Sequence, residues 1–389
     1  MKNNFSYLLF FLFLLLSEVI FAQHRPMDVI PKEEKLGVTA MGKYMYKDWQ
    51  GSSATEVGEF QFDHFRIWAR TEVGDKFFAS AQYRFYEGWN MPQHLYFGFN
   101  FDRSTIKIGQ TWVPFGIDWQ TFDDWGNIVF YVGLHDDYDY GITWTFDWDY
   151  LSLDLGFFKN QQLASDNRGR YDTDIFSGSV GPDDVILKEK ANAETNQFNL
   201  RAQYVFPFKS FYLNLGASVL YGQLYNATID ELGSRLAYEF HSQFNYKIFH
   251  LNFQGTFYDY EQKLPDSSTT DDYNFINVSS WNFAYEIPSK ANIVSASTAL
   301  DIIDDKLSVY ANYSYLWGGT SETSSALFTA GVRSLWKSFE AFLELYNGIN
   351  DPQLSGNASG YGRDAGTNDL RVDLHLYYKL SIVGNGLVK

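Results

Sequence analysis

Cysteine is missing from all 389 residues. Its absence excludes disulfides, thiolate metal sites, a cysteine nucleophile and a lipidated N-terminal cysteine. Basic charge is scarce: 30 Lys and Arg stand against 47 Asp and Glu, a formal net charge of −17. Phosphate backbones need a basic surface, so this balance argues against nucleic acid as a partner. No long apolar run occurs after the N-terminal stretch, which argues against helical membrane spans. No Gly-x-Ser-x-Gly elbow, His-Glu-x-x-His pair or phosphate-cradling Gly-x-x-x-x-Gly-Lys loop occurs. The seven histidines, 24, 64, 94, 135, 241, 250 and 375, are scattered singly. His241 beside Glu239 and His375 beside Asp373 are the pairs from which a barrel hydrolase would have to be built; a structural role fits them better.

Aromatic residues are abundant, with 35 Phe, 28 Tyr and 11 Trp. That composition is too apolar for a disordered chain. The single long apolar run, residues 7–16, follows Lys2 and precedes Ala22. It is too short to span a bilayer as a helix and reads as a cleavable signal peptide over residues 1–22.

The rest alternates with period two. In 370–380, Leu370, Val372, Leu374, Leu376, Tyr378 and Leu380 share one face, and Arg371, Asp373, His375 and Lys379 the other. Segments 211–221, 249–258 and 307–317 repeat the pattern. They are longer than soluble strands and match the roughly 9–11 residues of a tilted transmembrane strand. Short turns centre on Asp75, Arg103, Trp148, Phe208, Lys247, Asp305 and Lys337. Longer polar stretches lie between them: 49–57, 88–93, 112–138, 159–195, 223–234, 261–291, 318–324 and 348–369. The expectation is an all-β, antiparallel, up-and-down transmembrane barrel of about sixteen strands in the bacterial outer membrane, both termini periplasmic. The strand-like segment 275–287 would break the alternation and is assigned to an outer loop. The organisation reads as signal 1–22, periplasmic segment 23–35, barrel 36–380 with inward loop 112–138, and tail 381–389.

Trp49, Trp112, Trp317 and Tyr346 at the long-loop ends, with Trp148 and Trp336 at the short-turn ends, suit two interfacial girdles. A turn centred on Asp75 places Arg66 opposite Arg84, with Arg70 on the same face. Lys43, Lys47, Lys107 and Arg201 share the polar faces of their strands. A cation facing lipid at midplane costs about 2–4 kcal/mol, so these side chains are expected inside. Glu239, Glu340, Glu344 and Asp373 would face them from the other half. Loop 112–138 carries Asp118, Asp123, Asp124, Asp136 and Asp137. The expected constriction combines Arg66, Arg70, Arg84, Lys107 and Arg201 with Asp118, Asp123 and Asp124. Each basic residue has a competing reading as half of a wall ion pair. The run Asp136, Asp137, Tyr138, Asp139 offers oxygen ligands but lacks a calcium-loop spacing, so no metal or other cofactor is expected.

The stretch Ile106, Lys107, Ile108, Gly109, Gln110, Thr111, Trp112, Val113, Pro114, Phe115, Gly116 resembles the strand-to-loop signature of the phosphate-selective porin O and P family. Arg66, Ile67, Trp68, Ala69, Arg70 with Ala81, Gln82, Tyr83, Arg84 resembles that family's arginine-bearing strands. Gly109 to Trp112 is also similar to trimeric dicarboxylate-type porins. The resemblance implies a homotrimer, loop three folded inward, and an anion path along Arg66, Arg70, Arg84 and Lys107. Its partners would be outer-membrane lipids and small charged solutes. This chain departs from the family in its acidity and in ending without an aromatic residue. A barrel that binds or exports an acidic polysaccharide is the alternative function.

Overall fold

The computed structural model describes residues 34–49, 58–117, 126–162, 170–175, 192–280, 283–304, 306–353, 360–383 and 386–388. The expected signal peptide and Asp118, Asp123 and Asp124 lie outside these residues.

Alternation builds the barrel. The first seven strands are β1 (Glu34–Lys47), β2 (Glu59–Val73), β3 (Phe77–Tyr86), β4 (Trp89–Asn100), β5 (Ser104–Trp112), β6 (Tyr138–Asp147) and β7 (Leu151–Asn160). After the short lumenal strand β8 (Thr173–Ile175) come β9 (Asn192–Phe206), β10 (Tyr212–Asn226), β11 (Glu231–Tyr246) and β12 (Phe249–Glu261). A hairpin, β13 (Phe275–Ser280) and β14 (Phe283–Pro288), then precedes β15 (Lys290–Ile303), β16 (Leu307–Trp317), β17 (Ser325–Trp336), β18 (Phe339–Ile349) and β19 (Asn368–Val383). β20 (Gly386–Val388) folds back on β19.

Sixteen of these strands pair antiparallel in sequence, and β1 pairs with β19 to close the ring. Closure leaves no open sheet edge, which is what a bilayer demands of a sheet. The outward face is apolar. On β11, Leu236, Tyr238 and Phe240 point out, with Phe240 66% exposed, while Arg235, Glu239 and His241 are buried inside. This exposed apolar wall, encircling a closed barrel, places the chain in the bacterial outer membrane.

The segment 275–287 lies outside the barrel ladder. β13 and β14 form a hairpin that pairs with β8 in a separate three-stranded sheet. Two expected long connections are tight turns instead. β3 and β4 join through Glu87 and Gly88, with Gly88 at φ +80°. Pro92, which lacks an N–H and suggests a loop, sits at a bulge where the register slips between Gln82 and Tyr83. β10 and β11 are likewise joined by a four-residue turn ending at Asp230, φ +56°.

Aromatic side chains stack on one another at the short-turn end. Phe146 stacks on Trp148 at 5.8 Å, and Phe208 stacks on Phe211 at 4.3 Å. At the other end Trp317 faces out, but Tyr346 is buried in the lumen and Trp112 turns toward Arg201, so neither belongs to a girdle. Parity explains Tyr346: it lies two residues from inward Glu344. Inside the wall, large rings lie over glycines on the paired strand. A Cβ at Gly37 would meet the Trp68 ring at 2.0 Å, and one at Gly98 the Phe78 ring at 2.0 Å.

Candidate functional site

The connection after β5 turns into the barrel. Helix α1 (Ile128–Tyr131) is capped by Asn127, whose side chain accepts from Val129 N. The Ile128 amide donates to Ser314 Oγ on β16 at 3.2 Å, and Ser295 Oγ on β15 donates to Asn127 at 2.8 Å. Gly116 N donates to Ser218 Oγ on β10 at 2.9 Å, and Gly133 O accepts from Arg235 on β11. Contacts to the inner faces of four strands across the ring place this segment inside the lumen.

Other loops pack onto it. Tyr285 OH of β14 donates to Tyr131 O at 2.6 Å, and the Tyr361 ring lies 6.2 Å from that of Tyr131. Ile128, Val129, Val132, Val278, Ile287 and Leu316 have no exposed surface. They belong to one apolar cluster, so the long-loop half of the lumen holds a packed core. Arg363, after β18, clamps it from outside: it donates to Glu286, Asp271 and Glu322 and lies 3.4 Å from the centre of the Phe275 ring. Burial alone would lower the Arg363 pKa, but the hydrogen bonds to Asp271 and Glu286 outweigh it and raise it.

A polar cavity of about 400 Å³ remains beside this block, against β3 to β7 and β9. Lys107 and Arg201 line it together, facing Asp136 and Asp154. Arg201 donates to Asp154 at 2.9 Å and to Gly116 O at 2.7 Å, so its wall ion pair also ties the loop down. Arg66 and Arg84 are register partners and both are buried, as the turn at Asp75 implies. They lie beside the cavity, outside its lining. Arg84 donates to Gln93 at 3.1 Å and lies 4.2 Å from the Tyr171 ring. Arg70 pairs with Glu72 at 3.3 Å nearer the short-turn end. Lys43 pairs with Asp63 at 2.8 Å.

The acids of the far half face inward but hold local partners. Glu239 meets His241 at 3.0 Å, Glu340 takes Arg333, and Asp373 takes Arg371 and His375. His375 also approaches Glu344 at 3.4 Å, so carboxylates flank both its nitrogens. His241 Nε2 meets the Gln203 side chain at 3.0 Å.

Sequence reasoning singled out Asp136, Asp137 and Asp139 as oxygen ligands but did not bring Asp172 and Asp174 beside them. Burial pushes Asp136 up to about 6, against the hydrogen bond from Tyr171 and the charge of Arg84. Burial, then the charges of Asp139 and Asp174, raise Asp137 well above the ordinary carboxylate range. Asp172 is raised by burial and by Asp174 and Asp137. β8 has no detectable alternation because it spans three residues.

A closed sixteen-stranded ring with an inward third connection is a porin-type outer-membrane barrel. No family model matches the chain, and no curated protein matches it. Solved structures do. The outer membrane channel DcaP of Acinetobacter baumannii is similar at TM-score 0.59 and 11% identity, over 90% of this chain and 99% of that one. OmpF of Salmonella typhi, in complex with daunomycin, is similar at TM-score 0.56 and 13% identity, over 90% and 99%. OmpT of Vibrio cholerae in a trimer form is similar at TM-score 0.54 and 12% identity, over 88% and 98%. Identities this low carry the fold and not the solute.

Proposed function

We propose that the chain is a passive outer-membrane channel for small hydrophilic or charged solutes, performing no chemistry. One observation supports this above others: a polar cavity lined by Lys107, by Asp136 of the inward connection and by the Arg201–Asp154 wall pair. Its size falls in the roughly 300–1,000 Å³ range of small-molecule sites. Opposed charges across a narrow passage orient dipolar solutes and select ions. Arg66, Arg70 and Arg84 extend the positive wall along β2 and β3, which favours anions. This is the finer reading that the resemblance to the phosphate-selective porins implies. The apolar block across the outer lumen disfavours a continuous track for a polysaccharide.

The proposed assembly is a homotrimer, as in the trimer form of the Vibrio cholerae neighbour. Planar-bilayer recording under a KCl gradient tests both points. The wild type should show an anion-selective reversal potential, and Lys107→Glu should move it toward cation selectivity. Single insertions should close in three equal steps. A reversal potential unmoved by Lys107→Glu would remove the cavity from the conduction path.

A further inference from the structure

Three carboxylates from two loop systems meet beside the cavity. Asp137 ends the inward connection, Asp139 is the second residue of β6, and Asp174 is the middle residue of β8. One oxygen from each can be chosen so that all three lie within 4.8 Å of one another. Asp172 is also buried nearby, its Oδ2 accepting from Tyr138 N at 2.7 Å.

A crowd of acids alone proves little. The second observation is that Asp137 lacks a partner. Asp137 is 1% exposed, and neither of its oxygens accepts a hydrogen bond. Asp139 Oδ1 also accepts none. Buried carboxylates normally collect donors, so orphaned oxygens pointing at one another signal a missing positive partner. The nearby guanidinium groups answer only Asp174. Arg235 spends its terminal nitrogens on Glu194, Gln197 and Gly133 O. Arg170 reaches Asp174 at 3.2 Å as an ion pair. Counting Glu194, five carboxylates share two arginines.

The geometry points to a calcium site built from Asp137, Asp139 and Asp174, joining the connection after β5 to the connection after β7. The donors are all hard carboxylate oxygens, which suit Ca²⁺ or Mg²⁺ over zinc or copper. Ca²⁺ binds oxygen at 2.3–2.6 Å, so ligands on opposite sides stand up to about 5 Å apart, as the spread here allows. Mg²⁺ demands shorter, stricter contacts and keeps its waters. β8 also pairs with β13, so the ion would lock the inward connection to the hairpin that packs over it. The sequence run Asp136 to Asp139 lacked a third ligand; Asp174, thirty-five residues beyond Asp139, supplies it.

The test uses the full chain, purified in detergent and stripped with chelator. Calorimetric titration with CaCl₂ should show one saturable site per chain, and Tb³⁺ luminescence excited through Tyr138 and Tyr171 should be displaced by Ca²⁺. Asp137→Asn and Asp174→Asn should each weaken binding at least tenfold, while Glu344→Gln leaves it unchanged. Heat-modifiable gel mobility checks that each variant has formed its barrel. Should the Asn variants fail that check, the wild type decides: Ca²⁺ should raise the thermal unfolding midpoint of the stripped protein, and chelator should reverse the rise. Absence of a saturable site, unchanged binding in folded Asn variants, or an unmoved unfolding midpoint would each overturn the assignment. None of these readouts depends on conductance.

Discussion

Arg201 shows how one side chain serves two structures. Its Nη1 pairs with Asp154 on the neighbouring strand β7, and its Nε holds Gly116 O of the inward connection. Asp154 also accepts from Thr145 at 2.6 Å. Removing the acid strands a buried cation, which generally costs about 3–5 kcal/mol. The adjoining polar cavity can hydrate the guanidinium, so Asp154→Ala should destabilise the barrel by about 3 kcal/mol, at the low end of that range. Urea unfolding in lipid vesicles measures it; an unchanged midpoint would mean the pair is worth nothing net. Period-two parity identified Arg66, Arg70, Arg84, Lys107 and Arg201 as inward, because one misplaced residue would put a charge in lipid. The short turn at Asp75 also made the Arg66–Arg84 register legible. The Arg201–Asp154 pairing was not legible, since the connection between β7 and β9 is too long to transmit register.

Elements that cross the bilayer were easier to read than those that do not. Barrel strands repeat the same constraint sixteen times, whereas α1 spans four residues and β8 three. Such short pieces are held by contacts distant in sequence and leave no periodic trace. The hairpin β13–β14 does alternate weakly, and only the need for an even strand count marked it as a loop. Pro92 and the Glu87–Gly88 turn misled in the opposite direction, because a bulge tolerates the proline that a regular ladder excludes. The inward helix makes its own prediction. Val129 and Phe130 are buried against the far wall, and a double change to Asp would place two unpaired charges in an apolar cluster. The segment should leave its seat, and single-channel conductance should rise several-fold. Conductance equal to wild type would mean that this segment does not limit the pore.

At the scale of the whole molecule, polarity runs in three shells. Lipid-facing apolar residues surround an inward polar wall, and that wall encloses a second apolar centre made by the loops. Alternation predicted the first two shells. The third has no sequence signature, since Ile128 to Val132 would read equally well as buried loop or as strand. It gives the passage a thermal signature. Moving those loops aside wets apolar surface, so opening carries a positive heat-capacity change. The hold of an apolar seal weakens on cooling. Closed time per event should therefore peak at an intermediate temperature and shorten on both sides of it, a curve that recordings between about 5 and 45 °C would trace. A monotonic dependence would mean that polar contacts such as those of Arg363 govern the seal instead. In this barrel, cold as well as heat would loosen the outer mouth.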